Sequence, residues 1–241
     1  MVTGAVLGRG SDKLVPDVWL SDLLGKPAFQ LKGNYASFSL DFVPQEPCFI
    51  SAKVSATDQE GLEKLQLHGF CLIDTNLQFL RPVAAIDEPV KKLRFAVSDD
   101  EIAVRELARC QFRQNRFHRD SQIAPLIASR IKEEWAGNYF TGNRGNWMVV
   151  AQLENTVKGF LLLLHDERQN HLIVDLIAVA ANHRGKGIAS AMIAYAILRC
   201  LPSPIPMRVG TQLSNPASIA FYAKLGFKMV SADYVLHCHI N

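Results

Sequence analysis

Apolar positions along the chain recur at two spacings, every second residue and every third or fourth, and the switches between them predict the elements. F-S-L-D-F at 38–42 alternates as a strand does, and Phe49 to Ser55 reads as another strand. Asp58 then precedes a helical pattern with Leu62, Leu65 and Leu67 towards a buried face, and Gly69 stops it. Phe70 to Leu80 is a further strand. Residues 1 to about 30 read as irregular, with Pro16 and Pro27 as breakers. The polar stretch D-E-P-V-K-K at 87–92 reads as a linker.

A second unit begins near Arg94. F-A-V-S-D-D-E-I-A-V-R-E-L-A-R-C predicts a strand, an N-cap at Ser98 or Asp99, and an amphipathic helix through Phe112. Residues 121–136 predict another helix. Trp147 to Glu154 and Lys158 to His165 predict two strands joined by the turn N-T-V-K, and His171 to Ala180 a third. In the helix predicted over 187–200, Ile188, Met192, Ile193, Ala196 and Ile197 share one face. A strand over Met207 to Gln212, a helix over Ala217 to Lys224 and a strand near Ala232 to His239 complete the pattern.

The two units share a weak repeat. Residues 50–70 align without gaps on residues 207–227, matching Asp58 with Asn215, Leu62 with Ile219, and Gly69-Phe70 with Gly226-Phe227. Any strand–helix–strand unit could show a similar pattern.

Composition narrows the classes. A chain of 241 residues that is 49% hydrophobic can bury a sizeable core, as one large domain or two small ones. A net charge of +3 with scattered Lys and Arg does not suggest a nucleic-acid partner. No apolar run approaches the roughly 20 residues that a membrane helix needs, and the N-terminus does not read as a signal peptide. Five widely spaced cysteines without a C-x-x-C pair read as reduced structural thiols of a cytoplasmic protein.

The most informative stretch is N-H-R-G-K-G-I-A-S at 182–190, between a predicted strand and a predicted helix. Glycines admit close backbone approach. The first amides of a helix lack internal partners and sit at the positive end of its dipole, which suits an anion. Arg184 and Lys186 add positive charge. The stretch has neither P-loop nor dinucleotide-fold spacing.

This strand–R-G-K-G-I-A–helix unit resembles the acetyl-CoA motif of the GNAT superfamily of N-acetyltransferases, with Arg184, Gly187 and Ala189 at the motif positions. T-Q-L-S-N-P-A-S-I-A-F-Y-A-K-L-G-F at 211–227 resembles the superfamily's closing motif, so the resemblance covers roughly 94–241. It implies an α/β (α+β) fold: a central, mixed, splayed β-sheet flanked by helices. A smaller α/β N-terminal domain (1–92), a partial and degenerate copy, would precede a catalytic domain (93–241). The resemblance further implies acetyl-CoA as co-substrate, bound by Ile177, Ala178 and Val179 on the splayed strand. Arg184, Gly185, Lys186, Gly187, Ile188, Ala189 and Ser190 would bind its pyrophosphate, with Asn215 and Tyr222 alongside. Tyr222 would protonate the leaving thiolate, a role that suits a group protonated at pH 7. Leu65 stands at the matching position of the first unit, which would therefore lack an acid.

Other candidates keep two readings each. Asp175, between apolar neighbours, would bind the substrate ammonium or act as a base through water; alternatively it forms a structural salt bridge. Asn215 reads equally as a helix N-cap, and His183 as a loop residue. His237 and His239 share a face of the last strand, but the sequence shows no third ligand, so no metal is expected.

The acceptor must be read elsewhere. C-Q-F-R-Q-N-R-F-H-R-D at 110–120 is basic and aromatic. Arg113, Arg116 and Arg119 beside Phe112 and Phe117 would suit a phosphorylated acceptor, although a solvated helix end reads the same way. N-R-F-H-R-D followed by E-E-W-A-G-N-Y-F resembles the bacterial TDP-fucosamine acetyltransferases, which acetylate the 4-amino group of a dTDP-linked amino-dideoxy sugar. That resemblance implies a nucleotide-sugar acceptor bound by Arg116, Phe117 and His118, and allows a homodimer. Two alternatives stay open: an acetyltransferase for a protein N-terminus, antibiotic or polyamine, and a non-catalytic acyl-CoA-binding module.

Overall fold

The computed structural model describes residues 13–33, 35, 44, 46–89 and 92–241. The strand read at 38–42 lies outside the described residues. Residues 13–32 are not irregular: they form β1 (Lys13–Pro16), α1 (Val18–Leu24) and β2 (Ala28–Lys32). The two prolines mark element ends. Pro16 closes β1 and Pro27 directly precedes β2, so neither interrupts a ladder. Asp17 caps α1 by accepting the Leu20 amide at 3.1 Å, and Gly25, at φ 68°, ends it.

The next elements are β3 (Cys48–Ser55), α2 (Gln59–Leu67) and β4 (Cys71–Arg81), then β5 (Leu93–Phe95). A 3-10 turn at Ser98–Asp100 leads into α3 (Glu101–Gln111), followed by a single-turn α4 (Arg116–Arg119) and α5 (Pro125–Gly137). β6 (Trp147–Leu153) and β7 (Thr156–Asp166) form a hairpin. Its turn is Glu154-Asn155, which starts one residue before the predicted N-T-V-K and shares Asn155 with it, with both residues at positive φ as tight hairpins prefer. β8 (His171–Val179), α6 (Ile188–Arg199), β9 (Met207–Gln212), α7 (Pro216–Lys224) and β10 (Lys228–Ile240) complete the chain.

Ten strands of the described residues form one sheet in the order β1-β2-β3-β10-β4-β9-β8-β7-β6-β5. The last strand lies between two strands of the N-terminal half, so both halves share one sheet. The order is palindromic from β1 to β7. Exchanging β1 with β7, β2 with β8, β3 with β9 and β4 with β10 returns the same order.

The register obeys the same symmetry. Val54 faces Tyr234 across β3 and β10, and the repeat-equivalent Thr211 faces Leu77 across β9 and β4. The local two-fold passes through the Asn76–Asp233 pair of β4 and β10. Helix ends match as well. The Phe70 amide donates to the Leu65 carbonyl at 3.0 Å, and the Phe227 amide to the Tyr222 carbonyl at 3.1 Å. Gly69 and Gly226 adopt φ of 83° and 81° before those bonds. The repeat is therefore structural, not a chance pattern.

Phe160 to Leu163 are all buried because both faces of β7 are covered. Leu161 and Leu163 pack with Met192, Ile193 and Ala196 of α6, whereas Phe160 and Leu162 pack with Val104, Ala108 and Ala136 of α3 and α5. Around the N-terminal half, α2 places Leu62 and Leu65 against Ile50, Val54 and Leu236. On a separate cluster, α1 packs Leu20 and Leu23 with Phe49, Phe117 and Ile131. All five cysteines are free thiols.

Candidate active site

Parallel pairing between β8 and β9 covers only Leu172–Val174 against Met207–Val209. Beyond it, Ile177 to Val179 pair with β7 alone, and Gly210 to Gln212 with β4 alone. The sheet thus opens as a wedge whose two inner edges have no strand between them. Such edges offer backbone donors and acceptors to an extended ligand. The β7–β8 register slips at the same place: Leu163 faces Val174 but Leu162 faces Leu176, leaving Asp175 as the extra residue of a bulge.

The glycine loop borders the end of β8. Gly185 and Gly187 have φ of 73° and 74°, and a Cβ on either would meet no heavy atom within 4 Å. The glycines are therefore required by the backbone, and the space above them is open. The first bond of α6 runs from the Ala191 amide to the Gly187 carbonyl at 3.0 Å. The amides of Ile188, Ala189 and Ser190 precede that bond and point out of the helix end. Arg184 braces the loop, donating to the Val179 carbonyl at 3.2 Å and to Gln111 at 2.8 Å. Lys186 is exposed, Ile188 is buried, and Ala189 and Ser190 are half-buried. His183 pairs with the neighbouring Asn182 side chain in the loop.

Tyr222 sits on α7 with its ring packed near Phe79, Phe221 and Phe227. The residue is only 3% exposed. Its hydroxyl makes no hydrogen bond among the described residues, yet it is not one of their fully enclosed, partnerless polar atoms. Burial pushes its pKa well above the ordinary tyrosine range. Asn215 caps α7, accepting the Ser218 amide at 3.2 Å. The matching Asp58 caps α2 through Gly61 at 2.9 Å.

Asp175 is saturated. Arg144 reaches its two oxygens at 2.6 and 2.7 Å, and the Trp135 indole N–H donates at 2.8 Å. Its side chain is 8% exposed, so a free carboxylate here would be costly. The salt-bridge reading of Asp175 matches this geometry. Arg144 and Lys132 both stand over the Trp135 ring, at 4.7 and 4.2 Å from its centroid.

The structure separates the three acceptor candidates. Arg116 lines a cavity, stacks on Phe117 at 4.5 Å, and has no carboxylate within 4 Å among the described residues. Phe117 is a core residue, 1% exposed, with one edge on the same cavity. His118 is tied into the helix packing, its ring nitrogens at 2.7 Å from Asn115 and 3.2 Å from Ser129. Of the other arginines, Arg113 donates to the Cys110 carbonyl and Arg119 pairs with Asp74 at 3.1 Å.

His237 and His239 gain a third neighbour from far along the chain. Asp120 Oδ2 accepts from both, at 2.6 and 2.8 Å. Those are hydrogen-bond separations between the atoms that would have to ligate, closer than atoms arranged around a zinc ion about 2 Å from each ligand. The trio ties the end of α4 to β10.

Sequence reasoning missed Lys132, Trp135 and Arg144. Trp135 and Lys132 lie on α5, one turn apart, and the pattern E-E-W-A-G-N-Y-F held a signal for the tryptophan. Arg144 lies in a loop with no local pattern. It also missed Asp74, which is buried beside Ser214 just before the α7 cap.

Among the described residues, no helix is long and apolar enough to cross a membrane. Over 214 residues the chain is 29% identical to the spore coat polysaccharide biosynthesis protein SpsD of Bacillus subtilis, covering 86% of this chain and 72% of that one. It is 24% identical over 189 residues to a dTDP-fucosamine acetyltransferase of Escherichia coli, covering 78% and 80%. Two solved structures share the fold at 12% identity, each covering 97% of this chain. A GCN5-related N-acetyltransferase from Sphaerobacter thermophilus has a TM-score of 0.64 and is covered over 78% of its length. A tandem GNAT protein from the clavulanic acid biosynthesis pathway has a TM-score of 0.59 and is covered over 80%. Residues 102–227, just over half of the chain, match the Acetyltransferase (GNAT) family. With the splayed sheet and glycine loop, this match makes the chain a member of the GNAT family and an N-acetyltransferase.

Proposed function

We propose that the protein transfers the acetyl group of acetyl-CoA to the 4-amino group of a dTDP-linked amino-dideoxy sugar. The observation that carries the donor half is the wedge between β8 and β9 beside the open glycine loop. The pantetheine arm would lie along Ile177, Ala178 and Val179, and the pyrophosphate on the amides of 187–190, flanked by Arg184, Gly185 and Lys186. The neutral acceptor amine attacks the thioester carbonyl directly, and the nitrogen gives up one proton to solvent as the C–S bond breaks. A backbone N–H at the bulge of β8 would stabilise the developing oxyanion. Tyr222 would protonate the leaving thiolate, and its raised pKa keeps it in the acid form at neutral pH. Asp175, with its oxygens engaged, would serve by holding Arg144 and Trp135 rather than by taking a proton.

The acceptor half is supported by two relatives whose names concern polysaccharide biosynthesis and dTDP-fucosamine. Arg116, a cation without a carboxylate partner beside an aromatic-walled cavity, supports it independently. We read residues 1–92 as a partial, degenerate GNAT-like unit and 93–241 as the catalytic domain. The palindromic strand order supports a duplicated origin, and Leu65 in place of Tyr222 leaves the first copy without an acid. The test is thiol release from acetyl-CoA with dTDP-4-amino-4,6-dideoxygalactose. Release with one acetyl group gained by the sugar supports the reading, and transfer to a peptide or polyamine alone contradicts it.

A further inference from the structure

A cavity of about 570 Å³ opens between α1, α5 and the loop that follows α5. It lies within the size range of small-molecule sites. Trp19 and Trp135 both line it and meet edge to face, with ring centroids 5.8 Å apart. Arg116 and Arg144 bring two guanidinium groups to the same walls, and Asn138 and Asn143 bring side-chain amides.

Two carboxylates, Asp17 and Asp22, line the cavity together with Arg116 and Arg144, but they do not pair directly with Arg116. Asp175 is engaged by Arg144, and Asp17 accepts from Gln30 at 3.0 Å and from the α1 backbone. Arg116 and Lys132 have no carboxylate within 4 Å among the described residues, and both are half-buried. Burial lowers Arg116 to about 10. Burial, and then the nearby charge of Arg116, lowers Lys132 to about 8 against the opposing charge of Asp175, with Arg144 and Lys53 adding smaller repulsions. A buried guanidinium that no carboxylate contacts directly favours an anion that can reach it. Guanidinium groups suit phosphate oxygens, and aromatic walls suit a nucleobase.

We infer that this cavity binds the nucleoside diphosphate moiety of the acceptor, with Arg116 and Arg144 on its phosphates and Trp19 and Trp135 walling the base. The inference rests on the proposed nucleotide-sugar acceptor. It also gives the N-terminal half a part in acceptor binding, because α1 supplies a wall of the site.

The probe is dTDP without a sugar, titrated into the full chain by calorimetry and by tryptophan fluorescence. We expect binding that leaves acetyl-CoA affinity unchanged. Loss of one charge-assisted contact in Arg116→Met should weaken dTDP roughly 10- to 100-fold, and raise KM for the nucleotide sugar while kcat holds. Trp19→Ala, a second variant on another element, should weaken dTDP without altering acetyl-CoA binding. Unaltered acetyl-CoA binding in both variants shows that they fold. Competition between dTDP and acetyl-CoA, no dTDP binding, or full dTDP affinity in both variants would overturn the inference. The two proposals fail separately. Acetylation of amino sugars without dTDP binding defeats only the cavity assignment. Binding of dTDP without any acetyl transfer to its amino sugars defeats only the acceptor reading.

Discussion

Replacing Tyr222 with Phe removes one oxygen from a ring packed near Phe79, Phe221 and Phe227. The hydroxyl donates to and accepts from no described group, so its loss breaks no internal hydrogen bond. We therefore expect a stability change within about 1 kcal/mol, the scale of a single ordinary hydrogen bond. Catalysis should respond quite differently. A positioned general acid contributes about 10²- to 10⁴-fold, which corresponds to roughly 3–5 kcal/mol of barrier. The assay is thiol release at saturating acetyl-CoA and acceptor, with acetyl-CoA affinity measured by calorimetry. The expected result is a kcat lowered at least about a hundredfold, with acetyl-CoA affinity and thermal midpoint nearly unchanged. Burial raises the Tyr222 pKa, so the wild type should also show no loss of acid function up to about pH 9, a unit below the ordinary tyrosine value. A kcat within a few-fold of wild type would refute the acid role. A large fall in thermal midpoint would show that the hydroxyl has a hidden structural bond.

Gly187→Ala forces a side chain to φ 74° and points a methyl group into the open space above the loop; strain of about 1–2 kcal/mol and a clear rise in KM for acetyl-CoA should follow, measured by steady-state kinetics. Asp175→Asn breaks the two-pronged contact with Arg144, and urea unfolding should register a loss of about 1–3 kcal/mol; kcat falling in a correctly folded variant, with acceptor KM unchanged, would instead restore Asp175 as a base. Acid should destabilise the chain through His237. Burial holds its pKa down to about 4, below the ordinary value near 6.5. Between those values the unfolded chain takes up a proton that the folded chain does not, so stability falls as pH drops from about 6.5 to 4, by about 3 kcal/mol. Burial alone would raise Asp120, but hydrogen bonds from His237 and His239 hold it below the carboxylate range, so its contribution disappears only at still lower pH. Urea unfolding of His237→Gln across that range should show a flatter profile.

The repeat in the sequence translates directly into structure because its signals are local. Asp58 and Asn215 cap their helices, and Gly69 and Gly226 end them in the left-handed conformation. The glycine loop is legible for the same reason, since a strand, two glycines and a helix are adjacent in sequence. The N-terminal elements are not. Proline reads as a breaker within residues 13–32, whereas Pro16 and Pro27 stand at boundaries, where a missing amide costs no ladder bond. A bulge between Met229 and Ser231 breaks the alternation at the start of β10, where Met229 and Val230 are exposed, so the strand begins at Lys228 rather than Ala232.

The acceptor side is the least legible because its contacts are non-local. Asp175 meets Arg144 and Trp135 from 31 and 40 residues away, and Asp120 meets His237 from 117. Nothing in the spacing of C-Q-F-R-Q-N-R-F-H-R-D distinguishes Arg116, which reaches the cavity, from Arg113 and Arg119, which are taken up by a local bond and by Asp74 of β4. The single-turn helix α4 decides that outcome, since its Asn115 cap turns Phe117 into the core and leaves Arg116 beside it.

On the proposed reading, the protein moves an acetyl group from acetyl-CoA to the amine of a nucleotide-linked sugar. The most direct test is thiol release from acetyl-CoA against dTDP-4-amino sugars, peptides and polyamines, with the products weighed by mass spectrometry. The expected result is release with a dTDP-4-amino-4,6-dideoxy sugar and a product heavier by one acetyl group. Robust release with a peptide or polyamine, and none with any nucleotide amino sugar, would contradict it.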